Sequence, residues 1–249
     1  MRIEVVTLFP ELFETPLRTS LLGKSVEAGR LSVGLVNPRD FTQDRHRTVD
    51  DTPYGGGAGM VMKCTPLHDA IVSAQARSGA TRTILMSPRG RVLTQALVKE
   101  LAAEPGLVLV CGRYEGVDER LSSAVFTDEV SIGDYVLSGG EMPALVLIEA
   151  MSRMLPGTVG DWESVETDSF FDGLLGPPVY TRPPEFLGMA VPEVLLSGNH
   201  AAIRRWRLKE SLRATLARRP ELLEDRVLTK EETELLAEIR REIMKEQEQ

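Results

Sequence analysis

Three short segments of this 249-residue chain carry groups suited to holding a ligand by its main chain. Residues 85–91 read LMSPRGR, residues 110–118 read VCGRYEGVD, and residues 131–143 read SIGDYVLSGGEMP. Each follows an apolar run of strand character, and open α/β sheets bind their ligands just beyond the carboxyl ends of strands. A turn explains any one of them. Three together, each with Gly or Pro among polar groups, predict one shared pocket built from loop backbone. Gly112, Gly133, Gly139 and Gly140 let the main chain approach a flat ring, and backbone N–H and C=O groups there can read a purine edge without charged side chains.

Other signatures carry less. Gly23-Lys24-Ser25 resembles the tail of a phosphate-binding loop, but Arg18 stands where the first glycine belongs and no strand precedes it. The run Gly55-Gly56-Gly57-Ala58-Gly59 follows Asp50-Asp51-Thr52-Pro53-Tyr54 and not a strand, which excludes a dinucleotide-binding turn. It reads as a surface loop or as a place where backbone comes close to a ligand. His46, His68 and His200 are isolated, so no zinc site is expected. Cys64 and Cys111 lack C-x-x-C spacing and are expected to be two buried thiols.

The elements that would position these loops alternate. Residues 3–8, 31–36, 83–86, 107–111 and 124–130 read as strands. Helical periodicity fits 12–28 (broken at Pro16), 66–76, 94–102, 117–123 and 141–154. Strands alternating with helices predict an α/β domain with a mainly parallel sheet, over residues 1–160. The texture then changes. Residues 157–172 hold five acids and no base, and 176–192 hold five prolines, too many for a regular element. Residues 161–176 are therefore expected to be a flexible linker. Residues 177–249 should form a small all-helical domain, with Asn199 as N-cap of a helix to Ala217, a turn at Pro220, and a Thr229/Glu232 capping box opening a last helix to about Lys245.

A hydrophobic content of 42% allows a sizeable core. No apolar run approaches the roughly 20 residues that cross a bilayer, and the N-terminus has no secretory pattern, so a cytoplasmic protein is expected. The net charge of −8 argues weakly against nucleic acid as a partner. Its distribution argues the other way. Between Arg204 and Arg219 there are seven basic residues and one acid, Glu210. Arg205, Lys209 and Arg213 form an i, i+4, i+8 row beside Leu208, Leu212 and Leu216, which should face the core. The lack of acids in this window favours phosphate contact by the row over a merely solvated face.

SPRGR, CGRYEGVDER and SIGDYVLSGGE, with PYGGGAGM before them and SGNHAAIRRWR after them, resemble the bacterial tRNA (guanine-N1)-methyltransferase family, TrmD, of the SPOUT superfamily. The likeness runs from LFPELF near the start to RRWR, departing at Arg89 and Thr167. It implies a trefoil-knotted SPOUT-type parallel sheet, a small C-terminal all-helical domain that binds tRNA, and a homodimer whose sites are completed by the partner chain. It implies S-adenosylmethionine bound by Gly112 and by Ile132, Gly133, Asp134, Tyr135, Val136 and Leu137, with further contacts from Ser87, Pro88, Glu115, Gly140 and Pro143. A Mg²⁺ requirement is compatible with the likeness, although the sequence holds no metal-ligand cluster.

The reaction so implied is methylation of N1 of the guanosine 3′ of the anticodon, position 37. Guanine N1 carries a proton at neutral pH, so a base must remove it and a donor must stabilise charge on O6. The family pattern assigns the base to Asp168 and its partner to Arg153. Without it, Asp168 would read as a solvated loop acid and Arg153 as a charge favouring a helix C-terminus. The rival readings are a SPOUT methyltransferase for another RNA position and an inert RNA-binding homologue. The motif set disfavours the first, and the presence of both Asp168 and Arg153 disfavours the second.

Overall fold

The computed structural model describes residues 1–224 and 226–247. In chain order its strands are β1 (Arg2–Val6), β2 (Ser32–Val36), β3 (Asp50–Asp51), β4 (Val61–Met62), β5 (Arg82–Val92), β6 (Gly106–Cys111), β7 (Asp128–Ser131), β8 (Glu185–Phe186) and β9 (Met189–Ala190). The α-helices are α1 (Glu11–Glu14), α2 (Ser20–Glu27), α3 (Cys64–Ser78), α4 (Gln95–Ala102), α5 (Glu119–Ala124), α6 (Glu141–Met154), α7 (Trp162–Glu166), α8 (Glu193–Leu196), α9 (His200–Arg218) and α10 (Lys230–Gln247). The chain divides into two compact units, Met1–Gly160 and Asp161–Gln249.

In the first unit, five strands form a wholly parallel sheet in the order β2-β1-β6-β5-β7. Gly106–Cys111 is buried along its whole length, which is why it reads as a continuous apolar run. One face packs Ile3, Val5, Leu107 and Leu109 against α2, α4 and α6 through Leu22, Leu101, Leu147 and Ile148. The other packs Val6, Val108 and Val110 against α3 through Leu67, Ala70 and Ile71. Pro16 divides the first helical stretch into α1, a 3-10 turn at Pro16–Arg18, and α2, because its ring has no N–H to give and clashes with the preceding turn.

Local signals set several boundaries. Thr94 caps α4 by accepting from the Leu97 N–H, and Asp118 caps α5 by accepting from the Arg120 N–H. Such caps stabilise a helix by about 0.5–2 kcal/mol each. The strand expected at 124–130 begins only at Asp128, since Ala124 still belongs to α5. The larger difference is in β5, which continues to Val92. Ile84–Met86 pair with Asp128–Val130, residues 87–90 leave the ladder, and Arg91 and Val92 rejoin beside Val130 and Ser131.

In the second unit, α9 and α10 enclose Leu212, Leu235, Leu236 and Ile239, with Leu208 and Leu216 packed on them. Asn199 caps α9 at the Ala202 N–H. Thr229 and Glu232 form a reciprocal capping box, the Glu232 N–H donating to Thr229 Oγ1 at 3.2 Å and the Thr229 N–H to Glu232 Oε2 at 2.7 Å. The stretch 161–176 belongs to this unit. It contains α7 and buries Val165 and Leu174. The proline-rich stretch also holds a regular element, the β8–β9 hairpin, because Leu187 and Gly188 both adopt positive φ and close a two-residue turn between the prolines.

Candidate functional site

The loops that follow β6 and β7 meet residues 87–90, which interrupt β5, and together they enclose a cleft of about 290 Å³. Every position expected to touch the cofactor lines it except Asp134, which is exposed and lies outside the lining. The local geometry explains the exception. Gly133 has φ +145°, the Ser131 hydroxyl binds both the N–H and the carbonyl of Gly133, and the Tyr135 N–H donates back to the Gly133 carbonyl at 2.9 Å. This tight turn sends Asp134 outward, while Tyr135, Val136 and Leu137 stay at the cleft. Val136 is 82% exposed and Tyr135 54%, an apolar surface of the kind that marks a binding site.

The loops cross with no room to spare. A β-carbon on Gly140 would lie 2.7 Å from Cys111 Cα and 3.1 Å from Gly112 N, and the Gly140 N–H donates to the Gly112 carbonyl at 2.9 Å. A β-carbon on Gly90 would strike the Glu129 carbonyl and Val130 N, so the 87–90 loop lies hard against the β7 backbone. Glycine is thus required here by close backbone approach and not by φ.

A buried ion pair fixes the crossing. Arg113 Nε lies 2.9 Å from Glu141 Oε2, and Glu141 is 1% exposed. The Arg113 guanidinium lies 4.3 Å from the centroid of the Phe9 ring and donates to the Ser138 carbonyl at 3.2 Å. Thr7 Oγ1 donates to Glu141 Oε1 at 2.9 Å. The end of β1, the CGRYEG loop and the start of α6 are therefore tied to one another beside the cleft. The sequence pattern did not single out Arg113 or Glu141, because their pairing depends on the fold. The only local hint is that each adjoins a glycine.

The glycine-rich loop borders the same site. The Glu115 N–H donates to the Met60 carbonyl at 2.9 Å, and a β-carbon on Gly59 would collide with the Glu115 side chain. Gly55, Gly56 and Gly57 all have positive φ and open space around them. Beside this loop, Cys64 is only half-buried, contrary to expectation, because it opens α3 next to Asp118. Burial, and then contact with Asp118, pushes its thiol up. Cys111 is buried as expected, and burial pushes its thiol well up. Neither is poised as a nucleophile. No cluster of three metal-ligating side chains occurs among the described residues.

The two residues expected to do proton chemistry lie in different units. Arg153 is half-buried in the last turn of α6. Asp168 is exposed just after α7, in a loop ordered by hydrogen bonds within itself and to α9. The Phe171 N–H donates to the Asp168 carbonyl at 3.2 Å, the Gly176 N–H to Ser169 Oγ at 2.9 Å, and the Leu175 N–H to Thr215 Oγ1 at 2.9 Å. Phe170 is held at φ +69° within it.

The basic row requires a correction. Arg205, Lys209 and Arg213 are not short of acids. Arg205 meets Glu238 at 2.6 Å, Lys209 meets Glu242 at 2.7 Å, and Arg213 pairs with Glu242 and Glu210. Hydrogen bonding to Glu242 raises the Lys209 pKa, and the Glu242 carboxyl is held low chiefly by Lys209. Glu238 and Glu242 come from α10, which the charge count along 204–219 does not reach.

Residues 1–225 match the family described as tRNA (Guanine-1)-methyltransferase TrmD. Three similar proteins, from Methylococcus capsulatus (59% identical over 244 residues), Pseudomonas entomophila (56% over 243) and Chromobacterium violaceum (54% over 247), bear the name tRNA (guanine-N(1)-)-methyltransferase. Each alignment covers 97% of this chain and 97% of the relative. With a parallel sheet whose strand ends close on one glycine-lined cleft, and with this match over most of its length, the chain belongs to the tRNA (guanine-N1)-methyltransferase family, TrmD, of the SPOUT superfamily.

Proposed function

We propose that this protein transfers the methyl group of S-adenosylmethionine to N1 of the guanosine 3′ of the anticodon, position 37, in tRNA. The observation that carries the reading is the single cleft shared by the three glycine-bearing loops, with exposed apolar groups on a backbone-rich wall. Its residues fit the cofactor. Ser87, Pro88, Gly112, Glu115 and the 132–137 loop offer main-chain groups for an adenine edge, and Gly140 and Pro143 complete the lining. The close backbone approaches at Gly90 and Gly140 accord with a trefoil knot as the form of this cleft.

S-adenosylmethionine, when bound, supplies a methyl already activated on a sulfonium, so the chain's own task is to orient the two reactants and manage one proton. In this reading Asp168 accepts the N1 proton of guanine and Arg153 orients that carboxylate or stabilises charge on O6. The two act in one site completed by the partner chain of a homodimer. A cytoplasmic location accords with a tRNA substrate and with the finding that no described helix is long and apolar enough to cross a membrane. Mg²⁺ has no assigned ligands and enters no step.

Mixing two inactive variants tests the shared-site reading. Asp168→Ala chains combined with Gly140→Val chains should regain methylation of tRNA through mixed dimers. A monomer by light scattering, with no activity regained on mixing, would reject it.

A further inference from the structure

The ion pairs of α9 leave one set of its cations without a counter-charge. Arg204, Arg207 and Arg218 are exposed and make no ion pair among the described residues, whereas Arg205, Lys209 and Arg213 pair with acids and Arg219 pairs with Glu221. At 3.6 residues per turn the first three fall within about 60° of one another, and about 21 Å of helix separates the first from the last. The buried positions Ser211, Leu212 and Thr215 separate them from the paired row. Ser211 falls within their own arc, so Arg204 and Arg207 stand near the start of the helix and Arg218 at its end, with a covered stretch between. Arg207 also lines a cleft within this unit together with Arg182 and Tyr180. The Tyr180 ring is half-exposed and lies 6.3 Å from that of Trp206.

A phosphate gains little from a cation that already holds a carboxylate. It must displace that partner, and the freed glutamate then repels it. Glu210, Glu238 and Glu242 cancel most of the field of the paired row, while the other face presents bare guanidinium groups, which suit phosphate oxygens. We infer that the RNA backbone docks on the Arg204–Arg207–Arg218 face of α9, with Arg182 beside it, and that the Arg205–Lys209–Arg213 row serves to hold α10. This rests on the reading that the substrate is tRNA and names the surface that receives it.

The test is the salt dependence of binding of an unmodified tRNA transcript to the full-length protein, followed from low to physiological salt. R204Q/R207Q/R218Q should lower the log–log slope by about 2–3, at about 0.7–0.9 per lost phosphate contact. Calorimetric affinity for S-adenosylhomocysteine should stay at the wild-type value. R205Q/K209Q/R213Q should keep the wild-type slope while melting at lower temperature. A wild-type slope in R204Q/R207Q/R218Q overturns the inference by itself, whether or not the second variant folds, and leaves the substrate reading standing. A wild-type protein that binds no tRNA overturns both.

Discussion

Gly140→Ala is the smallest change that should disable the cleft. Its backbone, at φ −80° and ψ −3°, is open to any residue, so the effect is steric and not conformational. The added carbon would sit 2.7 Å from Cys111 Cα, 3.1 Å from Gly112 N and 3.1 Å from Met86 Cβ. Relaxed carbon contacts lie at about 3.5–4.0 Å, so the 138–140 loop must move away from β6 by roughly 1 Å. None of these atoms is the tip of a flexible side chain, and the Gly140 N–H bond to the Gly112 carbonyl stretches with the move. Overpacking of this kind costs about 1–3 kcal/mol. At about 2–4 °C per kcal/mol for a chain of this size, the melting temperature should fall by about 2–12 °C. The displaced carbonyls and N–H groups belong to the cleft wall, so calorimetric affinity for S-adenosylhomocysteine should also fall, by at most about 150-fold where binding must restore the whole of the crowded geometry. Gly160→Ala, with nothing near its added carbon, serves as the neutral control. Wild-type melting and wild-type affinity in Gly140→Ala would show that the close crossing is not a constraint on the cleft.

Asp168→Asn should cut the single-turnover methylation rate by about 10²–10⁴-fold, with tRNA and cofactor affinities nearly unchanged, because a general base acts in the transition state; a rate within a few-fold of wild type would remove Asp168 from that role. Glu141→Gln leaves the Arg113 charge largely buried without its partner, so denaturant unfolding should show a loss of up to about 3–5 kcal/mol, and an unchanged midpoint would refute the clamp. The carboxyls of Glu242, paired with Lys209 and Arg213, and of Glu232, held low by Thr229 and Arg226 against the opposing effect of burial, both titrate below their ordinary value. A lowered folded pKa means stability that is present above about pH 4.3 and lost as pH falls through the folded value. Melting followed by circular dichroism should therefore drop below about pH 4.5, and E232Q/E242Q should flatten that drop; equal pH dependence in both proteins would contradict it.

The legible parts of the fold were those written in local chemistry. The Thr229/Glu232 capping box and the Asn199 cap are short-range hydrogen-bond patterns, and α6 begins at Glu141 and ends at Met154 as its periodicity predicts. The continuation of β5 past Ser87-Pro88-Arg89-Gly90 was not legible, because a Pro-Gly kink reads as the end of a strand and only β7 supplies the ladder that resumes it. The cleft was foreseeable from three glycine-bearing loops, yet Asp134 shows the limit: whether a loop side chain points in or out depends on one turn, here set by Ser131 and Gly133. The roles proposed for Asp168 and Arg153 rest on resemblance alone, since an exposed loop acid and a helix-end arginine have no distinguishing local pattern. The acidic partners of the basic row are not legible, because charge counted along one helix omits the acids that packing brings from another.

The central claim concerns one atom of one nucleotide. Unmodified tRNA whose anticodon is followed by guanosine would be incubated with the protein and S-adenosylmethionine carrying a labelled methyl group, digested to nucleosides and oligonucleotides, and analysed by mass spectrometry. The account predicts labelled 1-methylguanosine at position 37 and at no other guanosine, with none formed when that base is replaced by adenosine. Label found at another position, on another atom of guanine, or nowhere in the presence of folded, cofactor-bound protein would contradict it.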